Sequence, residues 1–171
     1  MVLRLPREDE EQEFLRAHRA TTPEVPNFLH YYDEAMPFAH YLAVLQQRSR
    51  GEQLPPHHVP STFLFGFDGS RIVGRVSIRH ELNDFLLREG GHIGYVVVPE
   101  FRRQGHATAI LRLALQFAHD RLGLDEVLVT CDDDNIASIK TIEKNGGMLE
   151  NIVSGFDLDK LTRRYWINTG R

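Results

Sequence analysis

Cysteine is nearly absent. The 171 residues hold one, Cys131, so no disulfide can form within the chain, and a reducing compartment is the natural reading. Long apolar runs are missing too: none approaches the roughly 20 residues that a membrane helix needs. The opening stretch MVLRLPREDEEQEF is too charged for a secretory signal. A cytoplasmic protein with no membrane partner is therefore expected. Lysine is scarce, with three among twenty basic residues, and the arginines are scattered apart from Arg102–Arg103 and Arg163–Arg164. With a formal net charge of −4, nothing marks a nucleic-acid partner. No glycine-rich loop ending in GK[ST] occurs and no G-x-G-x-x-G follows a strand, which makes ATP and NAD poor ligands. The histidines have no zinc-like spacing with cysteine or carboxylate, so no metal is expected.

The length suits one domain spanning residues 1–171. Residues 1–60 are polar and broken by proline. A short strand fits Val2 to Leu5, and helices fit Glu8 to Arg19 and Ala35 to Arg50. The second of these has Phe38, Tyr41, Leu42 and Leu45 on one stripe. Pro55, Pro56 and Pro60 then forbid regular structure. From Thr62 the pattern sharpens. TFLFGF and RIVGRVSIRH flank Asp68-Gly69-Ser70 as a hairpin. ELNDFLLREGG is a loop, HIGYVVV a strand ended by Pro99, and Ala107 to Leu122 an amphipathic helix closed by Gly123. EVLVTC reads as a doubly buried strand, Ile136 to Lys144 as a short helix, and MLENIV and TRRYWIN as closing strands. Hairpins plus one strand–helix–strand crossover predict an α+β fold: a single mixed, mostly antiparallel sheet of about seven strands with about four helices.

VVVPEFRRQGHATAIL, from Val96 to Leu111, is the unusual junction. Pro99 has no amide hydrogen, so the ladder stops there. The helix begins near Gly105–Ala107, where its first amides lack intrahelical partners and carry the positive end of the helix dipole. Gly105 allows close approach to the backbone, and Ala107 keeps the first turn small. Arg102, Arg103 and His106 add positive charge. These features describe an anion site, with phosphate the expected anion.

The pattern Arg102-x-x-Gly105-x-Ala107 resembles the Q/R-x-x-G-x-G/A signature of the GNAT superfamily of N-acetyltransferases. YVVVPEFRRQGHATAILRLALQFA is similar to that family's strand–loop–helix. VLVTCDDDNIASIKTIEKNGG is similar to its next strand and helix, including Asn135 and the ending at Glu143, Lys144 and Gly146. RRYWI resembles its last strand, and IRHELNDFLLREGGHIGY is similar to a bacterial subgroup of acetyltransferases. The resemblance covers residues 62–168, a cofactor-binding core. Residues 1–60 would be variable helices on the acceptor side.

The resemblance implies acetyl-coenzyme A as cosubstrate, with its pyrophosphate on the loop formed by Arg102, Arg103, Gln104, Gly105, His106, Ala107 and Thr108. It implies pantetheine along Val96, Val97 and Val98, and a cofactor contact from Asn135, which also suits a helix cap. The acceptor would be a small-molecule or protein amine. Glu81 and His92, with His80, are candidate bases. The family's tyrosine seven residues after the asparagine is absent, since Ile142 stands there. Tyr95, Cys131, Tyr165 or a water would substitute as acid, or the thiolate would leave unprotonated. Asp132-Asp133-Asp134 favours the helix start it precedes or attracts a cationic acceptor. A non-catalytic acyl-coenzyme A binding module or sensor is the alternative reading, and a nucleotide binder a third. The final strands offer a surface for a homodimer.

Overall fold

The computed structural model describes residues 1–155 and 159–170. Seven strands and four α-helices follow in chain order: β1 (Val2–Arg4), α1 (Glu11–Thr21), α2 (Phe38–Ser49), β2 (Ser61–Asp68), β3 (Arg71–Arg79), β4 (Ile93–Val97), α3 (His106–Leu122), β5 (Glu126–Asp132), α4 (Ile136–Lys144), β6 (Met148–Ser154) and β7 (Leu161–Asn168). The expected elements are present, with shifted ends. The second helix starts at Phe38 rather than Ala35, because Pro37 sits at its N-cap. The ELNDFLLREGG loop contains one π-helical turn, Leu86–Gly90.

The single sheet is corrected by the structure. The strands form two antiparallel sheets, β1-β2-β3-β4 and β5-β7-β6. The parallel neighbours β4 and β5 touch at one end only. The His92 amide donates to the Leu128 carbonyl at 2.7 Å, and the Leu128 amide donates to His92 Nδ1 at 2.9 Å. Beyond that bracket no β4–β5 ladder forms, and the α+β fold carries a cleft between its two sheets.

Two apolar clusters cover opposite faces of the four-stranded sheet. On one side Val76, Ile78 and Ile93 pack against Ile110, Leu111, Ala114 and Ala118 of α3. On the other, Phe63, Phe65 and Phe67 meet Phe14 of α1 and Phe38, Tyr41 and Leu45 of α2. Ring pairs such as Phe14–Phe38 at 4.7 Å and Phe14–Tyr41 at 5.4 Å give this second cluster a fixed geometry.

The seat of α3 depends on two glycines that face each other across the β2–β3 hairpin, Gly66 and Gly74. A Cβ on Gly66 would lie 3.1 Å from Ile110 Cγ1. One on Gly74 would lie 2.8 Å from Ile110 Cδ1 and 2.5 Å from the Val96 carbonyl oxygen. The notch lets α3 settle onto the sheet and fixes where its first turn opens. Gly74→Ala overpacks this contact and is expected to destabilise the protein by about 1–3 kcal/mol. A lowered urea midpoint with an unchanged slope is the expected reading, and an unaltered midpoint would count against the notch.

Candidate active site

After β4 the chain makes a 3-10 turn, Pro99–Phe101. Gln104 Nε2 closes over that turn by donating to the Glu100 carbonyl at 3.0 Å. Arg103 (φ 59°) and Gly105 (φ 84°) both take left-handed backbone, a conformation that costs a non-glycine residue about 1–2 kcal/mol. Gly105 is the N-cap of α3, and no side chain bonds to that helix start. The Ala109 amide is bonded to the Gly105 carbonyl at 3.1 Å. The preceding amides of the first turn have no intrahelical acceptor. They open onto an exposed loop, Arg102–Gly105.

Arg102 is less free than its sequence suggests. Its Nη1 pairs with Glu24 from the α1–α2 connection, and its Nε contacts the Val97 carbonyl at 3.4 Å. Arg103 remains exposed. His106 stands edge-on to Phe101, with ring centroids 5.9 Å apart. Thr108 offers its carbonyl to Asn145 Nδ2 at 3.3 Å, tying the start of α3 to the end of α4.

Strand parity decides which main-chain groups face the cleft. Val98 donates to the Val73 carbonyl at 2.9 Å, and His92 accepts from the Arg79 amide at 2.7 Å. The register pairs Val96 with Arg75, so Val96 and Val98 spend their main-chain groups on β3. Tyr95 and Val97 turn theirs toward β5. On the opposite edge Leu128 faces β4 through its bracket with His92, so Thr130 and Asp132 face the cleft as well. Of the three valines named from sequence, Val97 alone turns its main-chain groups away from β3, its carbonyl touched by Arg102 Nε.

The Tyr95 side chain crosses toward α4. Its hydroxyl is buried without a hydrogen-bond partner. Ser138 and Thr141 lie near enough to favour the phenolate, while burial, the larger effect, raises the pKa. Thr141 Oγ1 spends its proton on the Ala137 carbonyl at 2.8 Å, which leaves its lone pairs as acceptors. Cys131 stands close by, and burial pushes its thiol up to about 11. Ile142 is fully buried in the α3-side core. Tyr165 is also fully buried, with its hydroxyl 3.5 Å from both Glu143 Oε1 and Arg163 Nη1. Tyr95 is thus the phenol nearest the cleft edge of β4.

Other candidates lie elsewhere. His92 is a strut: it is 7% exposed, and burial, helped by the Arg79 charge, lowers its pKa to about 4. Glu81 is exposed, one residue beyond half-buried His80. His80 Nε2 contacts Thr62 Oγ1 at 2.9 Å, and burial lowers its pKa. Asn135 caps α4, accepting from the Ser138 amide at 3.1 Å. Asp133 is held by Arg163 at 2.6 Å. Sequence reasoning passed over Arg75 and Arg79. Their spacing on alternate positions of RIVGRVSIR was the available signal.

The sequence matches the family model described as an acetyltransferase (GNAT) domain over residues 1–148. No curated protein matches it. Among solved structures it is similar to the ribosomal L7/L12 alpha-N-protein acetyltransferase RimL in complex with coenzyme A: 18% identity, TM-score 0.68, covering 97% of this chain and 92% of that one. It is similar to the microcin C7 self-immunity acetyltransferase MccE in complex with acetyl-CoA and AMP: 17% identity, TM-score 0.66, 97% and 91%. It is also similar to a variant of the spermidine N-acetyltransferase SpeG from Vibrio cholerae: 16% identity, TM-score 0.61, 99% and 95%. Among the described residues no helix is long and apolar enough to cross a membrane.

The His92 bracket has a pH signature. Its folded pKa near 4 lies below the ordinary 6.5. Above pH 6.5 neither state binds the proton; between 6.5 and 4 the unfolded state alone does. Stability is therefore complete above pH 6.5 and falls as pH drops toward 4, with this one imidazole contributing at most about 1.4 kcal/mol per pH unit. His92→Asn, which keeps an acceptor for the Leu128 amide, should flatten the acid limb of urea midpoint against pH. An equally steep limb in the variant would contradict the assignment.

Proposed function

Because the chain belongs to the GNAT acetyltransferase family, we propose that it moves the acetyl group of acetyl-coenzyme A directly onto an amine, in a ternary complex. One observation carries this reading: the uncapped first turn of α3 at Gly105 opens beside the cleft that β4 and β5 leave between them. The amides around Arg103 to Ala107 suit a pyrophosphate, and Val97 turns its main-chain groups toward an amide-bearing arm. The buried hydroxyl of Tyr95 is a polar group waiting for a partner. The residues present therefore fit the cosubstrate.

Acetyl-coenzyme A supplies an activated thioester. What remains for the chain is positioning, charge stabilisation and proton handling. Main-chain donors of β4 beside Tyr95 and Val97 would hold the thioester carbonyl as it gains negative charge. The amine forms the new C–N bond, the C–S bond breaks, and the sulfur takes the electron pair. Tyr95 is the phenol placed to give that sulfur a proton, in place of the tyrosine replaced by Ile142. The proton lost by the amine goes to water. Asn135 combines capping with a place at the β5 side of the cleft. The same reading puts the protein in the cytoplasm. It also pairs it with a second copy through β6, whose Met148, Leu149 and Ile152 stay exposed.

With acetyl-coenzyme A and a panel of amines, free thiol should appear only when an accepted amine is present. Stabilisation by coenzyme A with no thiol release from any amine would favour a binding module instead. Gly105→Ala forces a side chain into left-handed backbone and should weaken coenzyme A binding about tenfold by calorimetry; unchanged affinity would remove the loop from the site. Tyr95→Phe should lower kcat about a hundredfold with coenzyme A affinity retained, and a full rate would dismiss Tyr95 as the acid.

A further inference from the structure

The sheet face opposite α3 carries positive charge that no carboxylate among the described residues neutralises. Val76 and Ile78 of β3 point into the α3-side core, and Arg75, Ser77 and Arg79 alternate to the other face. Arg75 is 6% exposed. It donates to the carbonyls of Phe28 at 2.9 Å and Asn27 at 3.3 Å. The rings of Phe63 and Phe28 lie 5.4 and 6.0 Å from its guanidinium carbon. Among the described residues the Arg79 side chain has a single long hydrogen bond, 3.3 Å to the Gly90 carbonyl. A Cβ on Gly94 would sit 3.2 Å from Arg79 Nη1. The guanidinium therefore lies across the bare backbone of β4, one residue from Tyr95.

Among the described residues the charge bearing on Arg75 is that of Arg79, and the other groups acting on the pair are the neutral phenols of Tyr41 and Tyr31; no carboxylate is among them. Burial lowers both pKa values, that of Arg75 to about 10. Several arginines elsewhere are paired with carboxylates: Arg4 with Glu10, Arg16 with Glu13, Arg163 with Asp133 and Arg164 with Glu150. The surroundings add further donors without acids. Tyr41 Oη and Arg48 Nε are buried without partners, and His30 is held neutral by burial, its pKa lowered to about 4. A buried guanidinium without a counter-charge is costly. Two on one face, beside the strand that faces the reaction, call for an anion.

We propose that the acceptor is an amine that also carries an oxyanion, a carboxylate or a phosphate, which Arg79 receives with Arg75 behind it. This rests on the acetyl-transfer reading. It directs the choice of substrate away from polycations such as spermidine, whose ammonium groups this face repels. Arg75 also pins residues 27–28, so Arg79 is the hand that meets the ligand. Its planar fork fits either oxyanion.

The test compares matched amines in the thiol-release assay: amino acids against their carboxamides, and O-phosphoethanolamine against ethanolamine. The anionic member of at least one pair should have a kcat/KM at least tenfold higher, through KM, and the pair that shows it names the oxyanion. In Arg79→Gln the preference should shrink to within about twofold while stabilisation by coenzyme A persists, and Arg79→Lys should recover part of it. Neutral members used equally well, or a preference that survives Arg79→Gln, would overturn the proposal. If coenzyme A binds and no amine releases thiol, the transfer reading fails by itself. Thermal shifts then decide the anion site. Stabilisation of the wild type by the anionic compounds, lost in Arg79→Gln, supports it; equal shifts in both proteins, or none in either, refute it.

Discussion

One bracket organises the molecule: Leu128 gives both its amide and its carbonyl to His92, through ring and main chain. That pair joins β4 to β5 where the strands begin, and nothing continues the ladder toward their other ends. Two strands fastened at one point and diverging from it leave two facing rows of main-chain donors and acceptors. Such groups are satisfied by some partner in a working protein. A ligand with its own amides can take that place, which is why the split in the sheet matters more to function than the strands themselves.

The two faces of the four-stranded sheet divide the remaining work. On one, the Gly66–Gly74 notch receives Ile110, so α3 sits low and its first turn points at the mouth of the cleft. On the other, α1, α2 and their connection fold over an aromatic layer and enclose Arg75 and Arg79. The connection also sends Glu24 to Arg102 and α1 sends Arg16 to Glu100, so ion pairs tie the first sixty residues to the segment between β4 and α3. Charge is thus arranged by position, with open amides at the first turn of α3 and buried guanidiniums on the face beneath α1 and α2.

Much of this was legible in the sequence. The apolar periods of the AILRLALQFA helix and the VVV strand, the Asp-Gly turn, and the caps at Gly105, Gly123 and Asn135 are local signals, and local physics placed those elements within a few residues. The left-handed turn at Gly105 and the uncapped start of α3 were legible for the same reason. The split was not, because a strand–helix–strand run reads alike whether its strands pair or diverge; the bracket at His92 is a contact across 36 residues. Nor could composition separate Val97 from Val96 and Val98, since register decides which main-chain groups turn away from β3. Arg75 and Arg79 went unread because nothing local in RIVGRVSIR marks them as buried; the fold of the first sixty residues over that face buries them.

The central claim is that the first turn of α3 and the open edge of β4 hold acetyl-coenzyme A. A crystal structure of the complex measures this most directly. The account predicts the pyrophosphate on the amides flanking Gly105, with the pantetheine arm bonded to Val97 inside the β4–β5 cleft. Pyrophosphate density at any other surface, with that cleft closed or filled by solvent alone, would contradict it.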